Sequence, residues 1–239
     1  MTKTVATPRL SSTLLLLRES PMEVLMVRRN SKATFASALV FPGGVVSPED
    51  YLPEWRDHAT GWDDYDELER AMRIAAFRET FEETGILCAE GTGGEVPAAA
   101  DSFLDVVRAS SGRLPLDQLT AFAHWVTPGF LPKRFDTRFY IFKADPQHEG
   151  VSDGAETVAL EWQTPQHLLE TEADLPFATR LNLMLLAECD DFDRAQAAAQ
   201  DRKLEKMEPW LEQRADGAWL VIPEGTCYPV SEWLHLPAA

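Results

Sequence analysis

The chain has 239 residues and a mass of 26.8 kDa, with 45% hydrophobic and 26% charged residues. That balance excludes the disordered, collagen-like and disulfide-scaffold classes and suits one large domain, or one domain with additions, over residues 1–239. Thirty-nine acidic residues against 22 basic ones leave a net charge of −17, which argues against nucleic acid or an anionic membrane as the main partner and leaves room for bound cations.

From the N-terminus, Ser11 to Arg18 and Glu23 to Arg29 read as two strands rich in Leu, Val and Met, joined by the turn around Pro21. The apolar run Leu14 to Leu17 is far shorter than the roughly 20 residues a membrane helix needs, and shorter than a signal-peptide core. Ala38 to Phe41 is a third short strand, stopped by Pro42-Gly43-Gly44. Residues 51–65 mix Asp, Trp, Gly and Pro without a period and read as irregular, part of an insertion over about 51–70.

A helix is expected over Glu67 to Thr84. Asp64 or Asp66 can cap its start, Gly85 can end it, and Leu68, Met72, Ala75, Ala76 and Thr80 line one face. Gly91 to Ala100 reads as a surface loop, and a short helix follows near Phe103 to Ala109. Strands are expected at His124 to Thr127, Arg138 to Lys143 and Thr157 to Trp162. From about residue 166 to 239 the pattern turns mainly helical, above all Pro176 to Arg202, with a return to strand near Trp219 to Ile222. Strands, a helix, more strands and further helices suit an α/β fold with a mixed sheet and helices on its faces. The three cysteines, Cys88, Cys189 and Cys227, are too scattered for a disulfide framework or a zinc ribbon and fit a reducing, cytoplasmic setting.

The chemically informative segment is Arg78-Glu79-Thr80-Phe81-Glu82-Glu83-Thr84-Gly85-Ile86. At helical spacing Glu79 lies on the same face as Glu82 and Glu83, in the last turns, where the helix dipole disfavours each carboxylate by about 0.3–1 kcal/mol and the three repel one another. Arg78 alone cannot neutralise them. A divalent cation can, and hard carboxylate oxygens suit Mg²⁺ or Mn²⁺. Upstream, Phe41-Pro42-Gly43-Gly44 offers backbone that phosphate or metal can approach without a Cβ in the way. A solvated acidic face and a plain turn are the alternative readings of these two segments.

Together the two segments resemble the signature of the Nudix hydrolases, G-x5-E-x7-R-E-U-x-E-E-x-G-U with U aliphatic. Arg78 to Ile86 matches the second half, except for Thr80 at the first aliphatic position. The spacing from Gly44 to Arg78 exceeds the family's by about 20 residues. The family's first Glu therefore falls on Asp50 counted from Gly44, or on Arg70, next to Glu69, counted back from Arg78. A long insertion there is similar to the branch that includes the peroxisomal coenzyme A diphosphatases. So are the segment Arg134-Phe135-Asp136-Thr137-Arg138-Phe139-Tyr140 and the pair formed by Glu156 and Trp162-Gln163-Thr164-Pro165.

The resemblance implies an α/β/α sandwich with a helical C-terminal extension. It further implies metal-dependent hydrolysis of a diphosphate bond in a nucleoside diphosphate linked to another moiety, with CoA or acyl-CoA first and ADP-ribose or NADH as the alternative. Glu79, Glu82, Glu83 and the Gly44 carbonyl would hold the Mg²⁺ or Mn²⁺, with Arg78 orienting the carboxylates. One of the helix glutamates or Glu156 would be the base. Gly43, Gly44, Lys133, Arg134 and Arg138 are the expected substrate contacts, although Asp136 and Arg138 could instead form a structural pair. Trp125, Phe130 and Phe135 could stack on a base or simply pack in the core. A small nucleotide-type substrate is the expected partner, and a homodimer is compatible with the family. A non-catalytic sensing module is the alternative of another class, against which the intact glutamates count.

Overall fold

Four consecutive leucines, Leu14 to Leu17, are all fully buried, and the alternation of a strand divides them between two cores. Leu14 and Leu16 pack with Met72, Ile74 and Phe77, whereas Leu15 and Leu17 pack with Leu181, Leu185 and Phe192. A strand covered on both faces reads as a continuous apolar run, which is why this one shows no alternation in the sequence. The computed structural model that shows this describes residues 5–19, 21–29, 38–94, 100–146, 148–151, 157–171 and 173–237.

The first strands are β1 (Arg9–Arg18), β2 (Glu23–Arg29), β3 (Leu39–Val40) and β4 (Gly43–Val45). After 3-10 turns and β5 (Ala59–Thr60) come α1 (Glu67–Thr84), α2 (Phe103–Ser110), β6 (Leu114–Pro115), β7 (Thr120–Val126), β8 (Phe135–Lys143) and β9 (Thr157–Gln163). The chain continues through α3 (Pro165–Glu170), α4 (Phe177–Leu186), α5 (Phe192–Asp201), β10 (Lys206–Met207), β11 (Trp210–Arg214), β12 (Gly217–Val221) and β13 (Glu232–Pro237). The central mixed sheet runs β10-β7-β8-β1-β2-β3, with β4 also on β1 and β9 also on β2. β8 pairs with β1 in parallel along nine positions, while β2, β4 and β9 add antiparallel pairs. Helix α1 covers one face of this sheet and the C-terminal helices the other, the expected α/β/α layering.

The α1 boundaries fall where the capping residues put them. The Asp66 side chain accepts from the Glu69 N–H at 2.8 Å, and Gly85, at φ 68°, ends the helix with its N–H on the Phe81 carbonyl. Residues 71–78 are buried without a break, so this helix is enclosed all round and its amphipathic pattern is weak. Thr80, the departure from the aliphatic pattern, is fully buried with its hydroxyl on the Ala76 carbonyl at 2.8 Å, and so fills the place of a small apolar side chain. The segment before α1 is anchored by Trp55, buried against Phe103 with its indole N–H on the Glu49 carbonyl at 2.9 Å.

The C-terminal part departs from the helical extension expected over 166–239. Helices end at Asp201, and β11, β12 and β13 form an antiparallel sheet of their own. The helical pattern expected over Pro176 to Arg202 is carried by two helices, because Asp191 caps a new start by accepting from the Arg194 N–H at 2.7 Å.

Candidate active site

The short strand β4 lies antiparallel to β1, with Thr13 opposite Gly43 and Ser12 opposite Gly44, and the last turns of α1 pack against it. The Gly43 N–H donates to Glu83 Oε2 at 3.0 Å. A Cβ on Gly44 would stand 2.2 Å from Glu79 Oε2, so glycine is what lets that carboxylate approach the strand. The two glycines should therefore fail differently. Gly43→Ala drives a Cβ to 2.5 Å from the Ser12 carbonyl oxygen, which is backbone and cannot yield, and should cost about 1–3 kcal/mol of stability. Gly44→Ala meets only the end of a flexible side chain, so the fold should survive while turnover falls at least about tenfold as Glu79 is displaced. Melting curves and initial rates on both variants separate these outcomes, and equal effects on both quantities would contradict them.

Arg78, 4% exposed, organises the acids. Its Nε and Nη2 donate to Asp50 Oδ1 and Oδ2 at 2.8 and 3.0 Å, Nη2 also to the Val45 carbonyl at 2.9 Å, and Nη1 to Glu79 Oε1 and Glu82 Oε2 at 2.8 and 2.9 Å. These bonds engage every N–H a guanidinium has. Asp50, 1% exposed, accepts in addition from the Ser47 N–H at 2.8 Å. Of the two positions the spacing offered, Asp50 is the one that meets Arg78, whereas Glu69 bonds Arg73 at 2.9 Å and accepts from the Tyr140 hydroxyl at 3.0 Å.

One guanidinium meets Asp50, Glu79 and Glu82, with Glu49 at 3.7 Å, so this cluster carries surplus negative charge. Burial raises the pKa of Glu79 to about 7 although Arg78 pulls it down, and burial raises Asp50 and Glu82 as well. Among the described residues no three His, Cys, Asp or Glu side chains already converge as a finished cage. Glu79, Glu82 and Glu83 nevertheless offer hard oxygens on one wall beside a glycine cradle, a donor set that fits Mg²⁺ or Mn²⁺. The Gly44 carbonyl accepts the Ser11 hydroxyl at 2.7 Å.

The wall belongs to a cavity of about 1020 Å³ between the sheet and α4. Phe41, Trp125, Phe139, Leu175 and Phe177 make much of it apolar, and Phe130 and Phe135 join them, so Trp125 serves core and cavity at once. The cations expected to meet substrate do not line it. Lys133 is exposed off the cavity. Arg134 is buried, bonded to the Ala6 and Thr127 carbonyls and paired with Glu208. On β8 the residues Phe135, Thr137 and Phe139 face the cavity, so Arg138 points to the opposite side and pairs with Glu69. Asp136 pairs with His124 at 2.5 Å and Lys206 at 2.9 Å rather than with Arg138. Glu156 lies outside the described residues. Missed altogether were Ser11, Thr13, Arg180 and Trp233, which line the cavity from segments without a motif.

A sheet between two helical layers, with acids gathered on an arginine beside a double glycine at a cavity of about 1020 Å³, is the arrangement of a hydrolase acting on diphosphate bonds. The NUDIX domain model matches residues 8–181, and the chain belongs to that family. It is 28% identical to the acyl-coenzyme A diphosphatase NUDT19 of Gallus gallus over 87% of this chain and 73% of that protein. It is 30% identical to the putative nudix hydrolase 7 of Caenorhabditis elegans over 61% of this chain and 48% of that protein. The crystal structure of a NUDIX hydrolase from Alicyclobacillus acidocaldarius superposes with a TM-score of 0.68 at 28% identity, covering 81% of this chain and 97% of that one. Among the described residues no helix is long and apolar enough to cross a membrane.

Proposed function

We propose that this Nudix hydrolase cleaves the diphosphate bond of CoA or an acyl-CoA, releasing 3′,5′-ADP and 4′-phosphopantetheine or its acyl derivative. The observation that carries the reading is one cavity that joins the Glu79, Glu82 and Glu83 wall to a large aromatic and apolar surface. The similarity to acyl-CoA diphosphatases over most of both chains supports the substrate. Glu79, Glu82, Glu83 and the Gly44 carbonyl would hold Mg²⁺ or Mn²⁺, which when bound neutralises the diphosphate oxygens and acidifies water. Arg78 fixes Glu79 and Glu82, so their lone pairs are aimed before substrate arrives. Water attacks one phosphorus, its proton passes to a helix glutamate or to Glu156, and the bridging oxygen leaves with the other phosphate. A cytoplasmic setting belongs to the same proposal and agrees with three free thiols.

A product assay across CoA, acyl-CoAs, ADP-ribose, NADH and dinucleoside polyphosphates, in Mg²⁺ and in Mn²⁺, tests the substrate. CoA or acyl-CoA should give the highest kcat/KM, and a clear preference for ADP-ribose or NADH would overturn the assignment.

The metal reading has a thermodynamic counterpart. In metal-free buffer Glu79 is protonated in the folded state up to about pH 7 but only to the ordinary 4.5 when unfolded. The folded state therefore holds the extra proton between those values, and stability should fall by about 2–3 kcal/mol as pH rises from 4.5 to 7. Millimolar Mg²⁺ or Mn²⁺ replaces the proton, so it should raise the melting temperature most at pH 8 and flatten that decline. A melting temperature indifferent to metal at pH 8 would count against these carboxylates as ligands.

A further inference from the structure

We infer that Arg180, Thr179 and the N-terminus of α4 form an anion subsite for a phosphomonoester carried by the substrate outside its diphosphate, an inference that rests on the nucleotide-diphosphate reading above. The first observation is Arg180. Among the described residues it is the only Lys or Arg on the cavity wall, and its side chain forms no ion pair or hydrogen bond there, although the chain carries 39 acidic residues. Its guanidinium instead lies over the Trp233 ring, 5.0 Å from the centroid. Stacking engages the flat face of a guanidinium and leaves its N–H groups in the plane free to meet an anion.

The second observation is independent of Arg180. Thr179, 5% exposed, lines the same cavity, and among the described residues its hydroxyl has no hydrogen-bond partner. A hydroxyl on a cavity wall with no partner in the protein is available to donate to an anionic ligand. The third lies in the backbone. Pro176 is the N-cap of α4 and no side chain caps that end, while the first bond of the helix runs from the Arg180 N–H to the Pro176 carbonyl. The N–H groups of Phe177, Ala178 and Thr179 stand outside the helical ladder on a segment that lines the cavity. A fork of N–H donors, a hydroxyl and the positive end of a ten-residue helix together suit a dianionic phosphate rather than a neutral group. Lys133, Arg134 and Arg138 do not line the cavity, so this end of α4 supplies the positive charge.

The test compares 3′,5′-ADP with 5′-AMP, a pair that differs by one phosphomonoester, by calorimetric binding to the full chain, and CoA with dephospho-CoA by kinetics. The unsubstituted protein should bind 3′,5′-ADP at least about tenfold more tightly than 5′-AMP. Arg180→Gln should bring that ratio to within about twofold, leave the affinity for 5′-AMP unchanged, and raise KM for CoA but not for dephospho-CoA at similar kcat. Thr179→Val should reduce the ratio less, and Arg180→Lys should retain part of it. An unchanged melting temperature in Arg180→Gln, expected because its side chain makes no hydrogen bond, separates the result from misfolding. Equal loss for both nucleotides, or no preference in the unsubstituted protein, would overturn the subsite. Binding needs no turnover, so a protein that fails to hydrolyse CoA yet keeps the Arg180-dependent preference would refute the hydrolytic reading and leave the subsite standing.

Discussion

Arg78→Gln is expected to destabilise the protein by about 3–5 kcal/mol and to abolish most turnover, the largest single effect in the molecule. Removing one partner of a buried pair leaves the other charge in place without compensation, and Asp50 would keep only the Ser47 N–H. The Val45 carbonyl and one oxygen each of Glu79 and Glu82 would lose their donors in the same step. Lysine cannot substitute, because a single ammonium offers three donors from one point and cannot bridge Asp50 and the two glutamates. Urea unfolding measures the loss, and Asp50→Asn in the same background should recover part of it by removing the stranded charge. A loss below about 1 kcal/mol would show that Arg78 does not hold this site together.

Glu82→Gln and Glu83→Gln should each lower kcat at least about a hundredfold with the fold intact. An amide preserves size and can still accept the Gly43 N–H in place of Glu83, but it removes a charge that would hold the cation. Stability in metal-free buffer should stay level or rise slightly, since each change relieves repulsion among acids near a helix C-terminus. Rates near those of the unsubstituted protein would take both residues out of the site, whereas a loss of rate together with a loss of fold would assign them a structural role. The stabilisation by added metal should shrink in the same variants, which ties the kinetic effect to cation binding.

Local sequence determined the elements that local physics controls. Asp66 and Gly85 bound α1 because a carboxylate caps a helix start and glycine accepts the left-handed turn at its end. Glu79, Glu82 and Glu83 lie together because 3.6 residues make a turn, and the apolar runs of β1 and β2 announce strands buried on both faces. Spacing could not choose between Asp50 and the neighbourhood of Arg70 as the partner of Arg78, because the inserted segment destroys the register. Only packing around Trp55 and the 3-10 turn at Pro48–Tyr51 brings Asp50 to the guanidinium. Arg134 and Arg138 sat in a suggestive motif, but strand alternation and the partners Glu208 and Glu69, the latter 69 positions away in sequence, decided their directions. Arg180 and Trp233 are 53 positions apart and belong to no motif. Their meeting depends on α4 and β13 reaching one cavity, a tertiary fact that no period or spacing in the chain encodes.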